Sequence, residues 1–327
     1  MWTKPLLKLF FALALPLALL HPGYAQSAFE GQAAPAKPSY RQPAPSQAIP
    51  PAPQNRSKKL EAPQARGLLW KIESPGVRAS YLFGTIHSDD ARITQLPPAV
   101  KQRFDHATSF TMELIANGAG IVDMAEAMFF NDGQTLEKVL GKDLYAQTLQ
   151  ALTSRGLPTQ GIEKQKPWVI MMSLSMPKPK SGLVLDLVLQ LEATKQEKPT
   201  YGLETMQEQI ELFNSMSMGD QVHLLAETLH TAAQMDAQFE ELLQTYLNRD
   251  LAGLMATNDK YQPDNDAVYR SFMDRLLNKR NIKMLQRMLP RLKEGNAFIA
   301  VGALHLPGPE GLLSLLEKTG YRITPIY

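Results

Sequence analysis

The pattern of hydrophobic and polar residues changes at Gly67, where strand-like runs begin. Residues 67–73 and 79–84 predict two strands, and the Ser74-Pro75-Gly76 turn between them predicts a hairpin. Residues 109–114 and residues 200–203 form two further short apolar runs. We expect each of these runs to be a strand.

Helical periodicity dominates the middle of the chain, from about residue 121 to 194 and again from 205 to 292. The chain then closes with a predicted strand, helix and strand at residues 297–301, 311–318 and 321–326. Predicted strands thus lie at both ends, with a large helical middle. We therefore expect an α/β fold of α+β character, in which N- and C-terminal strands pair in one central mixed sheet.

The first 25 residues have the pattern of a secretory signal peptide. Lys4 and Lys8 precede an apolar run from Leu9 to Leu20, and Ala25 ends a small-residue cleavage site. The apolar run is too short to cross about 30 Å of hydrocarbon. We expect export to the periplasm or beyond, with no integral membrane segment after cleavage.

Residues 26–66 contain 8 of the 24 prolines and predict a disordered linker, which leaves residues 67–327 as the folded domain. The whole chain has a net charge of +2, but the domain holds 26 Lys and Arg against 30 Asp and Glu, a net charge of −4. This balance argues against nucleic acid as a partner. The chain has no Cys, so His, Asp and Glu must supply any strong metal ligands.

Two matching tetrapeptides, Gly84-Thr-Ile-His87 and Gly302-Ala-Leu-His305, each follow an apolar run that predicts a strand. The repeat suggests two pseudo-symmetric halves whose histidines converge, since ligands bind at the carboxyl ends of strands in such sheets. The alternative is a pair of polar histidines that end their strands without a joint role.

Two glutamates occupy similar positions. Glu113 lies near the end of a predicted strand, and Glu204 precedes a capping box that begins a helix at Thr205. Either glutamate would reach the same strand-end cleft or serve only in electrostatic capping. A weaker metal-binding alternative is one helix face that carries His223, Glu227 and His230.

At these residues the sequence resembles the TraB/GumN family, which includes the TIKI proteases. The resemblance covers nearly all of residues 67–327. It rests on Leu82-Phe-Gly-Thr-Ile-His87, Gly182-x-x-x-Asp186, Lys198-Pro-x-x-Gly-Leu-Glu-Thr205, Arg280-Asn281 and the run from Phe298 to Leu313. It implies an α/β fold with paired Gly-x-x-His motifs and metal-dependent peptide cleavage.

Carried over by position, the resemblance implies a site built from a small set of residues. The expected metal ligands are His87, His305 and Glu204, and the expected catalytic residues are Glu113, Glu204 and Arg280. Asp186 and Asn281 match motif positions without an assigned role. A divalent transition metal fits such ligands, with manganese, cobalt and zinc as candidates.

The leading hypothesis is an exported metal-dependent hydrolase, and within that class a peptidase, that acts on a peptide or envelope-associated substrate. A second is a non-catalytic envelope protein that binds a peptide, a glycan or haem. A third is a metal-independent esterase-type hydrolase in which one histidine acts directly as a base. Intact His87, Glu204 and His305 favour chemistry over simple binding.

Overall fold

A strand from the end of the domain lies between two strands from its beginning, and this arrangement determines where the two Gly-x-x-His motifs meet. The computed structural model describes residues 40–41, 65–115, 117–177, 183–261, 263 and 266–327. The predicted signal peptide and most of the predicted linker lie outside these residues.

The described strands form one sheet in the order β1-β5-β4-β6-β3-β2-β7. The pairs from β1 through to β3 are parallel, whereas β2 pairs antiparallel with both β3 and β7. The strands are β1 (Tyr40–Arg41), β2 (Leu69–Glu73), β3 (Ser80–Thr85), β4 (Ser109–Leu114), β5 (Thr200–Glu204), β6 (Ala297–Gly302) and β7 (Arg322–Pro325). The predicted mixed sheet of N- and C-terminal strands is confirmed.

The central strands are apolar because both of their faces are covered. All residues of β4 and β6 are buried, as expected for parallel strands with helices on both faces. Phe298 of β6 lies 5.2 Å from the ring of Phe104 and 6.0 Å from that of Phe83. These rings anchor a helix and two strands in one core.

Helices surround the sheet, and the predicted large helical middle is confirmed. The α-helices are α1 (Ala91–Thr94), α2 (Pro98–His106), α3 (Gly118–Ala127), α4 (Leu136–Leu140), α5 (Lys142–Ser154), α6 (Pro167–Ser175), α7 (Leu185–Lys195), α8 (Met206–Asn214), α9 (Met218–Thr231), α10 (Met235–Leu247), α11 (Leu251–Lys260), α12 (Ala267–Met273), α13 (Lys279–Glu294) and α14 (Leu312–Lys318). A π-helical turn, Asp274–Asn278, leads directly into α13. Within the described part of the chain, no helix has the length and apolar character to cross a membrane.

One short segment of the predicted linker belongs to the sheet. Tyr40 and Arg41 form β1 and pair in parallel with Thr200 and Tyr201 on the outer edge of β5. An edge strand presents unpaired backbone groups that attract another extended segment. The linker pattern contains no periodicity that would predict this pairing.

The predicted capping box at the start of α8 is present. The hydroxyl of Thr205 accepts from the amide of Glu208, whose carboxylate accepts from the amide of Thr205. Arg287 of α13 also donates to both oxygens of Glu208, at 2.6 and 2.9 Å. Burial alone would raise the pKa of Glu208, but these hydrogen bonds lower it to about 2.

The low pKa of Glu208 predicts a pH-dependent contribution to stability. A carboxyl whose pKa falls on folding stabilises the native state above its ordinary pKa of 4.5, and the contribution is lost as the pH falls toward about 2. We expect Glu208→Gln to lower the free energy of unfolding by about 2 kcal/mol at neutral pH, after allowance for solvent screening. Urea unfolding of both proteins from neutral to acidic pH measures this difference.

The matched control is Glu211→Gln, because Glu211 lies on the exposed side of the same helix and its carboxylate accepts from the uncharged amide of Gln207. This variant should follow the wild type at every pH. A difference between Glu208→Gln and the wild type that stayed constant into acid would contradict the proposed ionic origin.

A buried cluster of histidines and carboxylates

The two Gly-x-x-His motifs lie side by side because their strands are parallel neighbours. In the β3–β6 ladder, Gly84 is opposite Val301 and Thr85 is opposite Gly302, so the motifs are offset by one residue. A Cβ atom on Gly84 would lie 2.7 Å from the Leu306 side chain, closer than real contacts allow. Because Gly84 has no side chain, the segment that follows β6 can pack against the end of β3.

His87 is held by a carboxylate from a distant helix. Its Nδ1 lies 2.7 Å from Oδ2 of Asp186, and the hydroxyl of Thr85 donates to Oδ1 of the same carboxylate at 2.9 Å. Asp186 lies in the first turn of α7, and the amide of Leu185 donates to the carbonyl of Ser88 at 3.1 Å. The start of α7 is therefore fastened to the segment that carries His87.

His305 is held by an amide instead of a carboxylate. Its Nδ1 lies 2.6 Å from Oδ1 of Asn281, and Nδ2 of Asn281 donates to the carbonyl of Glu310 at 2.8 Å. His305 belongs to the 3₁₀ turn Ala303–His305, which follows β6 directly. Both His305 and Asn281 are buried.

The remaining nitrogens of the two histidines have no hydrogen-bond partner among the residues that the structure describes. Nε2 of His87 and Nε2 of His305 are both buried there without a donor or acceptor. Oε1 of Glu113 lies 3.7 Å from Nε2 of His305. A buried polar atom without a partner is costly, and its presence in a native site points to a missing ligand or a chemical role.

A buried arginine joins the two predicted glutamates. Arg280 donates from Nε and Nη2 to the two oxygens of Glu204, at 2.8 and 2.6 Å, and from Nη2 to Oε2 of Glu113 at 2.8 Å. The amide of Gly302 donates to Oε1 of Glu113 at 2.6 Å, and Gln209 donates to Glu204 at 3.2 Å. The ends of β4, β5 and β6 thus share one network with α13.

The environment shifts the pKa values of the two histidines in opposite directions. Burial lowers the pKa of His87, but the charges of Asp186 and Glu113 outweigh it and the net pKa is raised. Burial, together with the positive charges of Arg280 and His87, lowers the pKa of His305 well below its usual range. The two imidazoles are close enough to influence each other electrostatically, yet they are not equivalent.

The carboxyl groups also differ. Burial raises the pKa of Glu113 more than Arg280 lowers it, so its net pKa is raised. Burial would raise the pKa of Asp186 as well, but the charge and hydrogen bond of His87 lower it overall. The cluster therefore contains one carboxyl inclined to take up a proton and one that stays ionised.

Four of the five residues predicted for the site, His305, Glu113, Arg280 and Glu204, are linked by direct ionic contacts, whereas His87 is held by Asp186. Among the described residues, Glu113 contacts Arg280 and approaches His305, whereas Glu204 contacts Arg280 but neither imidazole. Because both Glu204 oxygens accept from Arg280, its role as a metal ligand stays a prediction. The alternative helix face lies outside this cluster, with His223 on the surface 2.6 Å from Asp266.

Asp186 and Asn281 lie at family motif positions, but no role could be assigned to them from the sequence. Thr85, which contacts Asp186, and Gln209, which contacts Glu204, were not singled out as site residues. Their sequence signal was proximity to a motif: Thr85 lies within Gly84-x-x-His87, and Gln209 lies in the helix that begins just after Glu204. No local pattern indicates which partner each side chain meets across the fold.

The donor atoms fit a divalent metal in part. The two unpaired imidazole nitrogens are suitable ligands, and each histidine has the outer hydrogen bond at Nδ1 that is usual in metal sites. In the described residues, no three His, Asp or Glu side chains form a ready-made ligand group. A third protein ligand would require a carboxylate to turn toward the imidazoles, and Glu113 is the nearer one to His305.

Removal of the bridging arginine should strongly destabilise the domain. Arg280→Met leaves Glu113 and Glu204 buried without their counter-charge, which costs about 3–5 kcal/mol in the free energy of unfolding. Addition of Glu204→Gln to this variant should recover part of the loss, because one buried charge then disappears. Urea unfolding of the single and double variants measures both effects.

The control is Lys279→Met, which removes the adjacent but exposed cation that faces Asp274 at 3.5 Å. It should change stability by no more than about 0.5 kcal/mol. Near-wild-type stability of Arg280→Met would mean that the two carboxylates do not depend on the guanidinium.

Several curated proteins are similar to this sequence at low identity. Metalloprotease TIKI2 of Danio rerio is 26% identical over 310 residues, which are 78% of this chain and 60% of the relative. Metalloprotease TIKI1 of Homo sapiens is 24% identical over 319 residues, which are 81% of this chain and 63% of the relative. The uncharacterized protein YbaP of Shigella flexneri is 27% identical over 258 residues, which are 75% of this chain and 90% of that protein.

The matched part of this chain thus spans about six-tenths of the length of the TIKI relatives. No solved structure matches the chain. The sequence profile of the TraB/PrgY/gumN family matches residues 68–325, which include every element of the sheet except β1. By this match, which extends over most of its length, the chain belongs to the TraB/PrgY/gumN family.

Proposed function

We propose that the chain is a metal-dependent hydrolase of the metalloprotease kind, with a divalent transition ion bound by His87 and His305. The observation that carries the proposal is a pair of buried imidazole nitrogens that no described residue pairs with, next to an acidic cluster. The names of the TIKI relatives support the same reaction class.

The charges of the cluster also favour a cation. Glu113, Glu204 and Asp186 are buried carboxyl groups, and Arg280 is the cation that contacts two of them. In the form that would bind a metal, with all three carboxyls ionised and both histidines neutral, these groups would carry an excess of two negative charges. Burial of uncompensated charge is expensive, and a divalent ion would remove the excess.

The protein residues then have distinct roles. His87 and His305 would hold the ion, which supplies a Lewis acid and lowers the pKa of a bound water. Glu113 is placed to accept a proton, because its Oε1 lies near the unpaired nitrogen of His305 and burial raises its pKa. Arg280 fixes the orientation of Glu113 and Glu204, and a ligand role for Glu204 remains part of the proposal.

The proposed substrate is a peptide or an envelope-associated polymer, and the proposed location is outside the cytoplasm. The basis for location is the signal-like pattern of residues 1–25, and the basis for substrate is the naming of the relatives as metalloproteases. Manganese, cobalt and zinc are the candidate ions, because imidazole and carboxylate ligands suit all three.

The proposal predicts metal binding that depends on both motif histidines. Metal-free wild-type protein, dialysed against manganese, cobalt or zinc, should retain one of these ions. His87→Ala and His305→Ala should each weaken binding at least about tenfold, since each removes a direct ligand. Metal analysis of the dialysed proteins measures retention, and His223→Ala is the control for a surface histidine that should bind normally.

Failure of the wild type to retain any of the three ions would contradict the proposal. Retention that survives both substitutions would place the ion elsewhere. Hydrolysis of an unstructured protein such as casein should accompany metal loading and stop with a chelator. Ester hydrolysis that persists in the chelator would favour the metal-independent alternative, and metal binding without any hydrolysis would favour the binding protein.

A further inference from the structure

We propose that Asp186 and Asn281 are positioning residues that fix the tautomers of the two histidines. Each would keep the proton of its partner imidazole on Nδ1, so that the lone pair needed by a metal ligand stays on Nε2. This inference rests on the proposed function of the site. Its own content, however, concerns protons in the metal-free protein.

The argument for Asn281 follows from the hydrogen-bonding rules of an amide. The carbonyl of Glu310 can only accept, so the group of Asn281 that faces it at 2.8 Å must be the donor Nδ2. The oxygen Oδ1 of Asn281 therefore faces Nδ1 of His305 at 2.6 Å. Because an amide oxygen only accepts, Nδ1 of His305 must carry a proton.

The argument for Asp186 uses the same rules. An ionised carboxylate only accepts, and Oδ1 already accepts from the hydroxyl of Thr85 at 2.9 Å. Nδ1 of His87 lies 2.7 Å from Oδ2, so this nitrogen must also donate. In the neutral imidazole, Nε2 of His87 is then left without a proton.

Both positioning residues are buried, and the chain around each is fixed by the fold. Asp186 is 3% exposed, and its helix is fastened to Ser88 through the amide of Leu185. Asn281 is 2% exposed, and it neighbours Arg280 at the start of α13. Neither side chain can rotate freely into solvent, so each can hold its partner imidazole in a single tautomer.

The two partners are chemically different, and this difference gives the inference a consequence for each histidine. A carboxylate behind an imidazole makes it a stronger electron donor than an amide does. His87 is thus expected to bind an ion more strongly, whereas His305 contributes mainly through its orientation. Because the Thr85 hydroxyl contacts Asp186 rather than the imidazole, a change at Thr85 should lower metal affinity less than substitution of Asp186.

The test begins with ¹⁵N-histidine NMR of the full, metal-free chain at alkaline pH, where both imidazoles are neutral. His87 and His305, assigned through His87→Ala and His305→Ala, should both show a protonated Nδ1 and a bare Nε2. A proton on Nε2 of either residue would overturn the inference. This readout does not depend on metal binding or hydrolysis.

The second measurement uses Asp186→Asn, which keeps the size of the side chain but removes its charge and can present either end of its amide. We expect mixed tautomers at His87 and zinc affinity about 10–100-fold below that of the wild type. Thr85→Val, which leaves the His87 contact in place, should lower zinc affinity less. Unchanged tautomer and affinity in Asp186→Asn would overturn the inference.

The matched control is Asp266→Asn, because Asp266 is likewise paired with a histidine, His223, at 2.6 Å but on the surface. It should alter neither the His87 spectrum nor zinc affinity. Zinc binding to the wild type separates the two proposals. The expected tautomers without any zinc binding would support the positioning role and count against the proposed function.

Discussion

The guanidinium of Arg280 provides a shared counter-charge for two glutamates that the fold would otherwise bury at high cost. Glu113 and Glu204 come from neighbouring parallel strands, so their side chains meet at one edge of the sheet, where like charges repel. Arg280 contacts both carboxylates, and its own burial is tolerable only because they are there. The packing of α13 against the ends of β4 and β5 therefore depends on these two ion pairs.

The first turn of α13 serves the half of the cluster that contains the two glutamates and His305. Arg280 orders the carboxylates, and the next residue, Asn281, meets His305. The other half depends on α7, whose first turn brings Asp186 to His87. The two motifs are therefore alike in sequence but have different neighbours, and the raised pKa of His87 beside the lowered pKa of His305 is the electrostatic expression of that difference.

The sequence allowed the features that depend on short-range order to be predicted. The Thr205 capping box needs only a four-residue pattern, and the strands show themselves as apolar runs. The matched Gly-x-x-His motifs indicated adjacent strand ends because parallel strands finish at the same edge of a sheet. The resemblance to the TraB/GumN family, carried by the same motifs, is confirmed by the family match over residues 68–325.

The partners of the buried polar groups could not be predicted in the same way. That Arg280 covers Glu204 depends on how α13 lies against β5, and no spacing along the chain encodes that contact. Asp186 and Asn281 had to be seen beside their histidines before a role could be assigned. The pairing of Tyr40 and Arg41 with β5 depends on an open sheet edge and not on any pattern in the linker.

The position of β6 between β3 and β4 has a consequence for folding during synthesis. Until residue 302 has been synthesised, β6 is incomplete. β3 and β4 then lack the strand that lies between them in the native sheet. Contacts between segments so far apart along the chain close late and slowly. Synthesis must therefore have passed β6 before His87 can meet His305, so a chain that stops short of this strand carries no assembled site.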